Sequence, residues 1–217
     1  MLRNKSHETD PLWHVQLILA VVIVFQLILP DALIPWPRFL VPGLELMVLI
    51  VLQLVTPRQA VFTSRVRRLV VIGLIMLIAL ANVAALQVLV QSLFGHGHIP
   101  AANLLLAAGN VYITTAIAFA LLYWEMDGGG PGLRRQVGLN SSEHDFLFPQ
   151  QNFGKDMARR WHPTFVDYLF VSLTNMTAFS PTDTVPLSRR GKLVMATQAL
   201  VALATVVLVA ARAINTL

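Results

Sequence analysis

Six residues near the C-terminal end carry oxygen or amide groups within ten positions: Thr174, Asn175, Thr177, Ser180, Thr182 and Asp183, with Phe179 among them. Hydroxyl and amide oxygens can replace the hydration shell of an ion, and a ring of Asp183 carboxylates in an oligomer would attract cations. The other reading is local: the same groups cap a short helix and satisfy its free carbonyls, and Asp183 pairs with Arg189 or Arg190 at a surface.

Other polar residues stand inside apolar runs. Glu45 is the one acid well within such a run, and an intramembrane carboxylate marks an ion or proton site by default. Arg38 lies seven residues earlier on a similar face, and Asn82, Gln87 and Asn110 are polar partners on other segments. A structural hydrogen bond or an interfacial position would explain Glu45 as well. In the last apolar run Gln198, Thr205 and Arg212 recur every seven residues, which keeps them roughly on one face. That face either lines a pathway or packs inside one subunit. Ala196, Ala199, Ala202 and Ala204 allow close helix approach there, and Arg212 can snorkel from the helix end. His96 and His98 share a Gly-rich loop without a third ligand, so a solvated turn is expected and no metal site. His162 precedes Pro163 as a helix-start residue. The chain has neither HExxH nor GxxxxGK[ST] and no nucleophile constellation, so neither an enzyme nor a cofactor is expected.

The elements that must position these groups are membrane helices. Of 217 residues, 56% are hydrophobic and 12% charged, a membrane composition. The absence of cysteine excludes disulfides and thiolate chemistry. The net charge of +5 sits beside apolar runs, which suits a bilayer rather than nucleic acid. No cleavable leader is evident, since further apolar runs follow the first. Spans are expected over residues 14–29, 39–55, 69–93, 101–124 and 193–214. Residues 125–162 form the longest connection. It opens with Gly128-Gly129-Gly130-Pro131-Gly132, read as a flexible linker. Phe146, Phe148 and Phe153 are expected on the membrane surface, with Trp161 as an anchor.

Residues 163–192 are too short and polar to cross a bilayer comfortably. Pro163 and Asp167 mark a helix start. Fifteen helical residues to about Ala178 span roughly 22 Å, against a hydrocarbon core of about 30 Å. Pro181 then closes the run to helix. A short helix followed by irregular backbone describes a re-entrant segment, which survives at membrane depth only when buried in protein or lining water.

This stretch resembles the pore loop of potassium-channel-type proteins. Their pattern reads Thr-Thr-Val-Gly-Tyr-Gly-Asp-x-x-Pro, then Gly five residues on, then Arg or Lys. Thr177 falls on the first Thr, Asp183 on the Asp, Pro186 on the Pro, Gly191 on the Gly and Lys192 on the base. Phe179, Ser180, Pro181 and Thr182 replace the filter's Val-Gly-Tyr-Gly, so potassium selectivity is not carried over. The resemblance, over residues 163–214, implies a tetramer with its last helices near the axis and a monovalent cation as permeant. A second resemblance rests on Tyr123-Trp124-Glu125, Gly128 to Pro131, Asp145 to Pro149 and Asp167-Tyr168-Leu169. These residues are similar to those of an uncharacterised family of bacterial multi-pass membrane proteins, which implies an architecture in the inner membrane and no mechanism.

The expectation is thus an all-α integral membrane protein with five transmembrane helices and a short re-entrant pore-like helix. Residues 1–124 form a four-helix transmembrane region, 125–162 a cytoplasmic or interfacial loop, and 163–217 the pore-like helix, filter-like turn and last span. With the N-terminus cytoplasmic, 14 of the 16 Lys and Arg lie inside, Arg38 and Arg212 excepted. If residues 164–182 spanned fully, six spans would place 12 of 16 inside. The expected function is cation permeation by a homo-oligomer in the lipid bilayer. A carrier with a broken-helix site and a nonconducting scaffold are the alternatives.

Overall fold

Four other helices pack on α4 (Ala101–Met126), whose residues are buried on most sides. The computed structural model describes residues 13–28, 34, 37–55, 65–94, 101–131, 134, 144–152, 161–177 and 183–215. Before α4 come α1 (Trp13–Ile28), α2 (Leu40–Val55) and α3 (Arg65–Phe94). After it come β1 (Phe146–Leu147), the 13-residue α5 (Phe165–Thr177), β2 (Val185–Pro186) and α6 (Arg189–Asn215). Helices α1, α3, α5 and α6 pack on α4, and α2 packs on α1 and α3. Among the described residues, three stretches are long and apolar enough to cross a membrane: Val71–Val88, Ala102–Gly129 and Arg189–Leu208. Helices α1 and α2, at 16 residues each, are about 24 Å long.

Small residues let the helices close on α4. Ala116, Ala118 and Ala120 are buried along it, and Ala202 of α6 meets Ala116 and Met176 of α5. Close approach through small side chains is the usual way membrane helices gain packing energy, because lipid is as apolar as leucine. The outward faces are greasy: Leu80 and Val83 on α3, Phe170 on α5, and Leu193, Leu200 and Leu203 on α6 are exposed.

Contacts along α5 give its level. At its start, the Tyr168 hydroxyl reaches Asp127, just past the end of α4. Further on, Ser172 bonds the Ala116 carbonyl and Met176 packs against Ala116 and Ala202, both near the middles of their helices. The chain then comes back. β2 pairs antiparallel with β1, Phe146 opposite Pro186 and Leu147 opposite Val185. Phe146 in turn binds Asp127 through its backbone N–H. Both ends of the segment 165–187 therefore lie at the same end of α4.

The ends of α5 and α6 are capped by their own sequence. Thr164 precedes α5, and the Asp167 carboxylate accepts both the Thr164 N–H at 2.7 Å and its hydroxyl at 2.8 Å. This is the side-chain-to-backbone half of a capping box, with Asp in the usual Glu position. Pro163, expected in the first turn, lies one residue ahead of that cap and is buried. Ser188 caps α6 by accepting the Gly191 N–H at 3.0 Å.

The long connection departs from expectation at its described parts. Phe146 and Phe148 are not on the membrane surface. They are buried against Tyr123 and Tyr168, with ring centroids 5.1–6.3 Å apart. Edge-to-face ring pairs add about 0.5–1.5 kcal/mol each beyond the burial itself. Trp161 packs on Phe148 at 5.4 Å. The glycine run is not a free linker either. Gly128, Gly129 and Gly130 take φ of 58°, 79° and 95°, a left-handed turn that an L side chain resists. A Cβ on Gly130 would stand 3.1 Å from the Glu125 carbonyl oxygen.

Candidate functional site

Two polar clusters hold α5 between α4 and α6. The first sits where α4 ends. Asp127 is almost fully buried, and one carboxylate oxygen accepts the Asp145 N–H at 2.7 Å and the Phe146 N–H at 3.3 Å. Its other oxygen accepts the Tyr168 hydroxyl at 2.5 Å. Arg134, also buried, lies 3.6 Å from that oxygen, donates to the Tyr168 oxygen at 2.7 Å, and bonds the Trp124 and Asp127 carbonyls. Its guanidinium stands 4.9 Å from the Tyr168 ring centroid, a cation–π contact. Burial pushes the Tyr168 phenol well above its ordinary value, against the opposing Arg134 charge, so it remains a donor to Asp127. Alongside, the Asp145 carboxylate takes a two-pronged hydrogen bond from Arg190, 2.6 and 2.8 Å, and the Ser188 hydroxyl. Leu187 N–H to the Asp145 carbonyl at 2.8 Å extends the β1–β2 pairing.

The second cluster lies deeper, at the level of Ser172. Gln198 is fully buried, and both ends of its amide are used. Its nitrogen donates to the Ser172 hydroxyl oxygen at 2.6 Å and the Ser172 carbonyl at 3.2 Å. Its oxygen accepts from the Tyr123 hydroxyl and from Asn175 at 2.9 Å. Asn175 also reaches the Met195 carbonyl at 2.9 Å, and Ser172 donates to Ala116 O at 2.6 Å. One glutamine thus ties three helices together. A polar run continues along α4: Thr114 donates to Asn82 at 2.7 Å, Asn82 to Thr115 at 3.1 Å, and Asn110 to the Phe25 carbonyl of α1.

The residues expected at a site divide as follows. Asn175 joins Gln198 in the deep cluster. Thr174 and Thr177 bond carbonyls of their own helix, Phe170 and Val171 for the first and Thr174 for the second. Phe179, Ser180 and Thr182 lie outside the described residues, as do His96 and His98. Asp183 is exposed, and Arg190 bonds Asp145 instead of it. Gln198 and Thr205 are turned inward and buried in their own chain, while Leu200, Leu203 and Val207 form the open face of α6. The packing reading of that heptad line therefore describes the single chain. Glu45 is fully buried on α2 with Gln26 of α1 as its partner, and Gln87 is exposed.

Asp127, Arg134, Tyr168, Asp145 and Arg190 were not expected as a group. Asp127 directly before the run Gly128-Gly129-Gly130 was the available signal.

What the fold and these clusters define is a helical membrane protein with a short helix held between two long ones. Comparison with protein-family models, curated proteins and solved structures finds no match.

Proposed function

We propose that the chain is a channel-like integral membrane protein. Five helices span the bilayer, and residues 163–187 re-enter it from the cytoplasmic side to form, in a homo-oligomer, a cation pathway. The observation that carries this reading is the return of the segment to its starting end. Tyr168 and Phe146 meet the same Asp127, while Met176 reaches the middles of α4 and α6. At 13 residues, α5 is about 20 Å long and stops short of a hydrocarbon core of about 30 Å. Its C-terminal end carries the negative pole of the helix dipole. Ser180, Pro181 and Thr182 come next in the sequence, and the exposed Asp183 carboxylate follows them. Gln198 backs the short helix from behind rather than facing the ion. The N-terminus is cytoplasmic, and the membrane is the bacterial inner membrane.

The test begins with topology, made simple by the lack of native cysteine. Single cysteines replacing Gln151, Asp183 and His96 are labelled with a membrane-impermeant maleimide. Positions 151 and 183 are expected to react from one side and 96 from the other. Labelling of 183 from the side of 96 rejects re-entrance. In liposomes the full chain is expected to dissipate an imposed monovalent-cation gradient, several-fold more slowly after Asp183→Ala. Flux equal to empty vesicles rejects conduction.

A further inference from the structure

The α1–α2 pair carries an acid that the pathway above does not use. Glu45 lies within α2 and is fully buried. It receives one hydrogen bond, from the Gln26 amide nitrogen at 2.8 Å. Two oxygens of the pair remain, Glu45 Oε2 and Gln26 Oε1. Both are buried and neither has a hydrogen-bond partner among the described residues. With Glu45 ionised, both are acceptors only, and an uncompensated carboxylate is held out of water. The pair lacks a donor.

One hydrogen supplies it. A carboxylic acid donates its O–H to the Gln26 carbonyl oxygen while its own carbonyl accepts the Gln26 N–H, giving an acid–amide pair with no oxygen left over. We propose that Glu45 and Gln26 form a proton-binding site inside the helical bundle, occupied in the resting protein. A metal ion fits less well, since hard cations take about six oxygen ligands and this pair offers three.

The surroundings agree. Arg38, ahead of α2, donates to the Leu27 carbonyl at the end of α1. On α1 the one titratable group is His14, twelve residues from Gln26 or about 18 Å along the helix. On α3 the cations Arg65, Arg67 and Arg68 begin the helix, beyond the α2 end at Val55, and Val55 is about 15 Å along α2 from Glu45. From α4 the neighbour is neutral, Asn110, on the Phe25 carbonyl beside Gln26. The site lies apart from residues 163–187 and stands whether or not those conduct.

Infrared spectroscopy of the full chain in lipid vesicles tests it. At neutral pH the wild type is expected to show the carbonyl stretch of a protonated carboxyl group, and E45Q to lose it. Gln26→Ala is expected to keep the band and move it to higher wavenumber, because the acid loses its amide partner. Should E45Q fail to fold, the Gln26→Ala shift decides alone. A wild type without the band, a band that persists in E45Q, or one that Gln26→Ala leaves unmoved overturns the proposal.

Discussion

Replacing Asp127 with alanine is expected to be among the most damaging single changes in the chain. The substitution strips partners from two buried backbone N–H groups, those of Asp145 and Phe146, and from the Tyr168 hydroxyl. Each buried group left unsatisfied costs about 1–3 kcal/mol. It also leaves the Arg134 guanidinium buried without its carboxylate, and breaking a buried ion pair from one side costs about 3–5 kcal/mol. These losses overlap, because Tyr168 keeps its bond to Arg134 and the desolvation of Asp127 itself is relieved. A net loss of about 3–5 kcal/mol follows. Tyr168→Phe removes one hydroxyl and is expected to cost about 1–2 kcal/mol. The double variant should fall short of the sum by about 1 kcal/mol, since both changes delete the same hydrogen bond. The assay is reversible unfolding in mixed micelles, with the exposed Asp183→Ala as control, expected within about 0.5 kcal/mol of wild type. An Asp127→Ala variant as stable as that control would refute the assignment of this carboxylate as the tie between α4, the β pair and α5.

Gln198→Leu takes one partner from each of Tyr123, Ser172 and Asn175 at once. At roughly 0.6 kcal/mol and at most about 1.7 for each interhelical bond, the same unfolding measurement should register a loss of about 2–3 kcal/mol. The two glycines Gly130 and Gly109 should respond oppositely to alanine. At Gly130, with φ 95° and Glu125 O 3.1 Å from the new Cβ, a loss of about 1–3 kcal/mol is expected. At Gly109, inside α4 with nothing near, a gain of up to about 1 kcal/mol in melting experiments is expected from helix propensity.

Apolar length was the most legible property of the sequence, and helix limits the least. The segment expected over 69–93 is a helix from Arg65, because arginines at the edge of a span end its apolar stretch without breaking the helix. Helix α6 likewise starts at Arg189 rather than 193, behind a serine cap that an apolar window ignores. The short helix was readable within two residues, from Pro163, Asp167 and the later Pro181. The site was half readable. Residue types at Gln198, Asn175 and Glu45 marked them as unusual, but which way Gln198 points depends on helix rotation, which a seven-residue repeat does not set. The Asp127 cluster could not be assembled from the sequence because its partners lie 7 to 41 residues away, spread over the long connection and the short helix. Two-residue strands are too short to show any alternation.

The paired strands and the Asp145–Arg190 clasp have a mechanical consequence. They close residues 146–186 into a ring fastened to the end of α4, and Arg190 places the start of α6 on the same fastening. The first half of α6 cannot slide past α4 without tearing that seal and then the Gln198 knot below it. Any hinge is therefore confined to the far halves, past Ala116 on one helix and Ala202 on the other, where α5 no longer reaches. The molecule should flex like tongs held at the handle, with its working tips at the opposite membrane face.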